Sequence, residues 1–239
     1  MNVESEFGPG TSDSAPGAGS AIRASSASAA SDREVKRYFE RHGEPDLLPR
    51  LSRGVLQTAI RRAALAALRS APRPILDVGC GDGQLLELLE GEATEGLLGC
   101  DFALPVVRVA RHRMAGRAQF ASGRLQALPF RPGSVGTVVC INTLYNLPSR
   151  GGLAEALAEF ARVVCSGGRL VFELRNPLHP LIRALFWWNR TAEHPLWTHG
   201  LREARRRLTD CGLALSAVVP ILGPCRSLSL ANLVIANRP

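Results

Sequence analysis

Short apolar runs alternate with longer amphipathic segments along most of this chain. The runs are rich in Val, Ile and Leu and are bounded by Gly, Pro or Asp, a pattern typical of strands that are buried on both faces. We predict strands at 75–78, 96–100, 118–121, 135–141 and 169–174, and two more near 213–219 and 230–236.

Between these runs, apolar residues recur with the period of an α-helix. The spacing predicts helices at about 83–90, 103–114, 150–164 and 199–211, with a further helix at about 51–69 before the first strand. Regular alternation of strands and helices implies an α/β fold, with a doubly wound, mostly parallel, seven-stranded sheet and helices on both faces. Sheets of this kind bind ligands beyond the carboxyl ends of their strands.

The beginning of the chain has a different composition. Residues 1–31 are rich in Ser, Ala, Gly and Pro and have no hydrophobic period, so we predict a disordered tail there. From Asp32 a short helix carrying Tyr38 and Phe39 is expected, and 32–239 has the length of one ordinary domain. The acidic start, MNVESEF, lacks the apolar core of a signal peptide. No apolar run approaches the roughly 20 residues of a membrane span.

Composition and charge add few constraints. The chain has 239 residues and an apolar fraction of 46%, which is that of a globular protein. Its net charge is +8, and because residues 1–30 carry −2, the remainder carries +10. Such an excess suits an anionic substrate, nucleic acid or an acidic membrane surface. However, Lys36 is the only lysine, so the arginine excess also fits coding bias and does not single out a polyanionic partner.

The cysteines give no sign of a metal or disulfide framework. The chain has 6 cysteines, none of which forms a CxxC pair or a Cys/His spacing typical of zinc. Three of them, Cys80, Cys100 and Cys140, lie at the ends of predicted strands, where a free thiol behaves as a small apolar residue. We interpret the cysteines as reduced, which predicts a cytoplasmic location.

The segment with the most chemical information is Ile75-Leu-Asp-Val-Gly-Cys-Gly-Asp-Gly, in which a strand ends in a glycine-rich turn that opens a helix. Glycines let the backbone approach a ligand closely, and a helix N-terminus offers N–H groups to an anion. Asp77 stands two residues before the first glycine and can receive a cation. A ligand that has both an amino group and a carboxylate suits this arrangement.

The spacing of the loop narrows the choice of ligand. The glycines follow the pattern Gly79-x-Gly81-x-Gly83, whereas a dinucleotide fingerprint needs GxGxxG, and position 84 is glutamine. Asp101 follows twenty positions after Gly81, at the end of the second predicted strand. A carboxylate there can hold the hydroxyls of a ribose. The alternative is that Asp101 only caps the following helix.

Together these segments resemble the class I S-adenosylmethionine-dependent methyltransferases, in particular the group called methyltransferase type 11. The similarity runs from about residue 72 to 175, and more loosely to the C-terminus. It rests on the segments 75–83, 96–102, 122–130, 135–148 and 162–172, which match or resemble successive motifs of that family. The resemblance implies a Rossmann-like fold, an enzyme, and S-adenosyl-L-methionine as its cofactor.

The resemblance also implies roles for individual residues. Those that it assigns to the cofactor are Asp77, Gly79, Cys80, Gly81, Gly83, Asp101, Phe102, Arg124, Leu125, Ile141 and Asn142. In the family, the first five positions hold the methionine part and Asp101 holds the ribose hydroxyls. The next three positions line the adenine pocket, and the last two lie near the transferable methyl group.

Three departures from the family pattern are visible, of which Cys165-Ser166 in place of a more usual Lys-Pro is neutral. Arg124 stands where an aspartate often accepts a hydrogen bond from the adenine amino group, and arginine has no acceptor. Either the backbone or Gln126 takes over this contact, or the adenine is held less tightly. In the fourth predicted strand, Gly136 replaces a frequent aspartate.

The stretch 175–198 is the candidate for acceptor recognition. It is longer than a usual connection and contains all three tryptophans, Trp187, Trp188 and Trp197. We predict a lid that forms the wall of a pocket for a partly apolar acceptor. The competing interpretation is a core-packing helix, with Leu181, Leu185 and Trp188 on one face.

The sequence assigns no catalytic residue, although His179 and Tyr145 are candidates for a general base. The features above favour a methyltransferase that acts at oxygen on a small-molecule or lipid-like acceptor. A nucleic-acid or protein methyltransferase is the alternative that the positive charge keeps open, but the chain has no evident recognition domain. A cofactor-binding protein without catalysis is a third interpretation, because of Arg124. Contact with a membrane surface is compatible with the composition, and oligomeric state is not encoded in any pattern that we recognise.

Overall fold

The computed structural model describes residues 54–90, 96–147, 149, 151–190 and 196–239. The tail predicted at 1–31 and the short helix expected after Asp32 lie outside these ranges. Within them, the helices are α1 (Val55–Leu68), α2 (Gln84–Glu90), α3 (Leu104–Met114), α4 (Gly152–Val163), α5 (Pro180–Asn189) and α6 (Leu201–Asp210). The strands are β1 (Ile75–Val78), β2 (Leu97–Asp101), β3 (Gln119–Ser122), β4 (Val135–Cys140), β5 (Val164–Arg175), β6 (Ala214–Ile221) and β7 (Ala231–Asn237).

The strands form one sheet in the order β3-β2-β1-β4-β5-β7-β6. Strands β1 to β5 pair in parallel, and β7 inserts antiparallel between β5 and β6. The prediction of a mostly parallel, seven-stranded, Rossmann-like sheet is therefore confirmed. The chain leaves β3 at one edge and returns as β4 on the other side of β1. This change of direction opens a crevice at the carboxyl ends of β1 and β4, where sheets of this type bind ligands.

Helices cover both faces of the sheet. On one face, α4 and α6 bury Phe160 and Leu208 against strand residues such as Phe172. On the other face, α1, α2 and α5 share a second apolar cluster through Ile60, Leu86 and Ile182, together with other residues. Burial of these two apolar surfaces is what holds the layers together. No helix in the described ranges is both long and apolar enough to cross a bilayer.

Strand β5 begins at Val164, earlier than the predicted start at residue 169, because Val164 already pairs with Val135, and residues 165–168 form a bulge before Arg169 pairs with Thr137. The pairing between β4 and β5 shifts register between Val135 and Thr137. At Gly136 in this shift, a Cβ atom would lie 2.5 Å from the carbonyl oxygen of Arg73. A side chain does not fit there, which gives a packing reason for the glycine that replaces the aspartate of the family pattern.

The stretch after β5 contains a helix, α5. Its buried residues are Ile182, Leu185 and Phe186, whereas Leu181 and Trp188 are exposed. The competing interpretation, a core-packing helix with Leu181, Leu185 and Trp188 on its buried face, is therefore wrong at two of these three positions, and the lid stays a prediction. Both faces satisfy the helical spacing, so periodicity alone could not decide which one meets the sheet.

Candidate functional site

The loop between β1 and α2 has the backbone that its glycines predict. Gly79, Gly81 and Gly83 have φ angles of 75°, 53° and 87°, in the left-handed region that favours glycine. At Gly79 a second constraint applies, since a Cβ atom would lie 2.4 Å from both Cγ2 and Oγ1 of Thr143. The glycine loop therefore packs directly against the segment that follows β4.

Asp101, at the end of β2, holds the glycine loop in place. One carboxylate oxygen, Oδ2, accepts a hydrogen bond from the Gly81 N–H at 3.0 Å, and Oδ1 accepts from the Ala103 N–H at 2.9 Å. The N-cap of α3 is Ala103, and no described side chain caps this helix, so Asp101 does not act as the helix cap of the alternative interpretation. Each carboxylate oxygen can accept more than one hydrogen bond, which leaves acceptor capacity for a ligand hydroxyl.

The interior below the loop combines buried carboxylates with neutral thiols. Asp77, at the end of β1, is buried, and so is Asp101. Desolvation raises the pKa of Asp101, while the N–H groups of Ala103, Gly81 and Phe102 oppose this rise. Burial, with the nearby Asp101 and Asp77, raises the pKa of Cys100 to about 12, and burial likewise raises that of Cys80. Two carboxylates in apolar surroundings create a negative potential that suits a cationic ligand group.

As predicted, Cys80, Cys100 and Cys140 are buried and act as small apolar residues. All six cysteines are free thiols in the structure.

The residues assigned to adenine lie around the ends of β2 and β3. Phe102 is half-buried, Leu125 is buried and Arg124 is exposed. The Gly123 N–H donates to the Asp101 carbonyl at 3.1 Å, and the Ala127 N–H donates to the Arg124 carbonyl at 3.0 Å. These two hydrogen bonds hold the 123–127 turn beside Asp101, so backbone groups are present where the family often uses an aspartate side chain.

Asn142 has an unusual backbone at the carboxyl end of β4. Its φ angle is 55°, a left-handed value that asparagine tolerates better than most residues. The Asn142 N–H donates to Oε2 of Glu173 at 3.2 Å, and its side-chain oxygen accepts from Nη2 of Arg175 at 2.8 Å. Both partners lie on β5, so the end of that strand fixes the conformation of Asn142.

Glu173 and Arg175 form a buried ion pair that the sequence analysis missed. Arg175 Nε lies 3.1 Å from Glu173 Oε1, and the two side chains are 5% and 0% exposed. Burial raises the pKa of Glu173, whereas Arg175 and the Asn142 N–H lower it. The signal for this pair in the sequence was that Glu173 and Arg175 alternate with apolar residues at the carboxyl end of a buried strand. A buried ion pair contributes little net stability relative to apolar residues, so its position next to Asn142 points to a functional role.

Tyr145 contacts this ion pair through Arg175. It lies in a 3₁₀ turn, Leu144–Asn146, and the guanidinium carbon of Arg175 is 5.1 Å from the centroid of its ring. The centroid of the Tyr145 ring is also 5.8 Å from that of Phe186 on α5. The backbone N–H of Trp197 donates to the backbone carbonyl of Tyr145 at 3.0 Å. We call Asn142, Tyr145, Glu173 and Arg175 the acceptor-side cluster.

His179 lies at the start of α5 and caps it. Its Nδ1 accepts a hydrogen bond from the Leu181 N–H at 3.2 Å. A neutral imidazole that accepts at Nδ1 carries its proton on Nε2, which leaves no lone pair for a base. Of the two candidate bases, Tyr145 is the one that belongs to the acceptor-side cluster, where its ring lies beside Arg175.

Comparisons with known proteins bear on the identity of this site. Residues 76–172 match the family model described as Methyltransferase domain. The Demethylmenaquinone methyltransferase of Roseiflexus castenholzii is 38% identical over 127 residues, which cover 52% of this chain and 52% of that protein. The mouse protein named Probable tRNA methyltransferase 9B is 30% identical over 166 residues, which cover 64% of this chain and 36% of that protein. The chain thus spans only part of the length of these relatives.

A solved structure shares the fold over most of the chain. The geranyl diphosphate C-methyltransferase of Streptomyces coelicolor, crystallised with Mg²⁺, geranyl diphosphate and S-adenosyl-L-homocysteine, superposes with a TM-score of 0.63 at 15% identity. The match covers 87% of this chain and 98% of that one. At this level of identity the likeness establishes the architecture and leaves the acceptor open.

Proposed function

Residues 76–172 match a methyltransferase-domain family model, and from that premise we propose that this protein is a class I, S-adenosylmethionine-dependent enzyme that methylates a small, partly apolar acceptor at oxygen. The observation that carries the proposal is the acceptor-side cluster. It combines a buried cation with aromatic walls, immediately beyond the strand end to which the family assigns the transferable methyl group.

The residues present fit the cofactor. The glycine loop lies beside buried Asp77 and Asp101, and Asp101 retains acceptor capacity for a ribose diol. In this proposal Asp77 and residues 79–83 hold the methionine part, while Phe102, Leu125 and the backbone of Arg124 hold the adenine. When bound, S-adenosyl-L-methionine supplies a methyl group that is already activated by its sulfonium charge.

The protein's own contribution is to orient the acceptor and to exclude water. Such positioning lowers the activation free energy of reactions of this kind by several kcal/mol or more. Arg175 is suited to hold the acceptor oxygen, because a guanidinium has several N–H donors and its contacts with Asn142 and Glu173 engage only Nη2 and Nε. A guanidinium at that position favours the ionised form of a phenol-like or quinol-like hydroxyl. The acceptor then loses its proton to water before transfer, and no strong base is required.

The size and polarity of the acceptor follow from what surrounds the cluster. Phe186 and Ile182 of α5, with Ile141 and Leu196, belong to the same buried apolar cluster as Tyr145. Such a wall favours a ring or chain of modest size over a large polar acceptor. The printed names of two of the proteins compared, a demethylmenaquinone methyltransferase and a geranyl diphosphate C-methyltransferase, describe acceptors of this kind.

A transfer RNA acceptor is the second candidate. It is supported by the similarity to the mouse protein named for tRNA methylation and by the net charge of +8. The wall formed by α5 argues against it, because a base within a polynucleotide would have to reach a site lined by apolar side chains.

The test is methyl transfer from radiolabelled S-adenosylmethionine by the full chain. The acceptors offered are reduced demethylmenaquinone, geranyl diphosphate and total tRNA, and products are assigned to oxygen or carbon by mass spectrometry and NMR. We expect transfer to the quinol and its loss in Arg175→Met, with S-adenosylhomocysteine affinity retained. Transfer to tRNA alone would overturn the proposal, and transfer to carbon would overturn the assignment to oxygen. Cofactor binding with no transfer to any of the three would favour the non-catalytic interpretation.

A further inference from the structure

Large apolar side chains are exposed together at one edge of the sheet. Because β5 and β6 both pair antiparallel with β7, their carboxyl ends lie at the same edge. The exposed residues in the segments that follow these two strands are Leu178, Leu181, Trp187, Trp188, Leu222 and Leu228. Trp187 and Trp188 are 66% and 80% exposed. We call segments 176–190 and 222–230 the apolar edge.

Hydrogen bonds join the two segments into one surface. The side-chain amide of Asn176 donates to the carbonyl oxygens of Ser227 at 3.0 Å and Ser229 at 2.7 Å. The same side chain accepts from the Leu178 N–H at 3.0 Å. Asn176 is itself buried, so this connection holds the position of Leu178 relative to the 222–230 segment. Leu178 and the 222–230 segment are therefore held side by side, and α5, which carries the other exposed apolar side chains, follows directly; exposed apolar side chains grouped in this way mark an interaction surface.

The charge of the apolar edge is of one sign. Its charged residues are Arg183, Arg190 and Arg226, all exposed, and neither segment contains an aspartate or glutamate. A second copy of this chain would bring the same three arginines against each other, which disfavours self-association through this surface. An anionic partner offers the complementary charge.

Exposed tryptophans flanked by arginines are suited to the boundary between lipid head groups and acyl chains. The indole ring prefers that boundary, and guanidinium groups pair with lipid phosphates. On α5 the arrangement is amphipathic, with Phe186 facing Tyr145 and Trp187 and Trp188 facing solvent. Each basic residue near an anionic bilayer adds favourable binding energy.

We propose that the apolar edge docks the protein onto the surface of a bilayer that contains anionic phospholipid. The docking follows from the surface alone. Its consequence for catalysis rests on the proposed function: α5 is the outer wall of the acceptor-side cluster, so docking brings a membrane-dissolved acceptor to the edge at which that cluster lies.

The experiment is co-sedimentation of the full chain with phosphatidylcholine vesicles and with vesicles in which about a third of the lipid is phosphatidylglycerol. We expect binding to the anionic vesicles only, with a blue shift of tryptophan emission. Trp187→Ser/Trp188→Ser should weaken binding by roughly tenfold or more and abolish most of the shift. Both indoles are exposed, so the variant should keep the wild-type thermal midpoint.

Two matched controls separate docking from general attraction to an arginine-rich protein. Val109→Ser removes another exposed apolar side chain, on α3, and Arg108→Gln/Arg202→Gln removes two exposed arginines elsewhere. Neither should change binding as much as the tryptophan variant or Arg183→Gln/Arg190→Gln. No binding to anionic vesicles, or equal losses in all variants, would overturn the proposal. So would an oligomer that dissociates in the tryptophan variant. Sedimentation with vesicles does not depend on methyl transfer, so failure of the docking and failure of the acceptor assay are distinguishable.

Discussion

Gly79 is constrained twice, once by its own backbone and once by a neighbour 64 positions away. Its φ angle of 75° disfavours any side chain, and a Cβ atom would lie within 2.4 Å of Thr143. Gly116 provides the comparison, since its φ angle is +85° and nothing lies within 4 Å of the position that a Cβ atom would occupy. The two glycines therefore separate backbone strain from steric conflict.

We expect Gly116→Ala to lower the free energy of unfolding by about 1–2 kcal/mol, the cost of strain alone. Gly79→Ala should lower it by about 3–5 kcal/mol, because overpacking against Thr143 adds to the strain. Chemical denaturation measures both values. The variant Gly79→Ala/Thr143→Ala should regain part of the loss, and an absence of any recovery would show that the contact with Thr143 is not the cause.

A substitution that keeps the shape of Asp101 tests the role of its two carboxylate oxygens. Asparagine has the same shape but only one acceptor oxygen, so Asp101→Asn directs an NH₂ group at the Gly81 or Ala103 N–H. We expect a loss of about 1–3 kcal/mol in stability and loss of S-adenosylhomocysteine binding in calorimetry. Asp210→Asn, at the end of α6 and paired with Arg207 at 3.7 Å, is the control and should keep binding. Unchanged affinity in Asp101→Asn would remove Asp101 from the cofactor site.

At the scale of elements, helix α4 holds the loop before β4 through one glutamate. Glu159 Oε1 accepts from the Leu128 N–H at 2.7 Å and from Nη2 of Arg162 at 2.6 Å, while Oε2 accepts from Nε of Arg162 at 2.7 Å. Arg162 in turn donates to the carbonyl oxygens of Phe130 and Leu128. Loop 128–130 is thus fixed to α4 by this pair.

The pair predicts a pH-dependent contribution to stability. The hydrogen bonds from Arg162 hold the pKa of Glu159 below its ordinary value of 4.5, so its contribution is present above pH 4.5 and is lost as the pH falls through the lowered pKa. At pH 7, Glu159→Gln should cost about 1 kcal/mol, since Arg162 is partly exposed and the interaction is screened. The difference from wild type in urea unfolding should shrink below pH 4.5. Glu155→Gln, exposed on the same helix, should show neither effect.

Elements were predictable from the sequence where local pattern and long-range pairing agree. Strand β1 and the loop after it have the predicted bounds because apolar residues and glycines there point to one structure. The early start of β5 was not predictable, since Ser166 to Gly168 looks like a turn and belongs to the strand only because pairing with β4 flanks it on both sides of the register shift at Gly136. The buried face of α5 was also not predictable from the sequence, because Trp188 and Phe186 are equally apolar and only the tertiary contacts distinguish them.

At the scale of the whole molecule, the candidate site consists of contacts between distant parts of the chain. Asp101 and Gly81 are 20 positions apart, and Asn142 and Glu173 are 31 apart. The first contact was predictable because both residues belong to one strand–helix–strand unit with a known sequence signature. The second was not, because it requires knowing that β4 and β5 are neighbours and that Glu173 faces the α5 side. A motif therefore pointed to the part of the site that we propose for the cofactor, whereas the part that we propose for the acceptor required the sheet order.

The domain boundary proposed at residue 31/32 is a prediction about the whole molecule. Residues 1–31 have too little apolar surface to offset the entropy of ordering them, whereas 32–53 includes Tyr38 and Phe39, which are expected to pack. A protein beginning at Asp32 should bind S-adenosylhomocysteine within about twofold of the full chain, since ordering of the tail contributes nothing to the site. A protein beginning at Gly54 should have a lower thermal midpoint, because it would lack the packing that we predict for the two aromatic side chains. Calorimetry and thermal unfolding of both truncated forms give the answer. If the first form loses affinity while staying folded, the tail is part of the site, and if the two forms behave alike, the domain begins after residue 53.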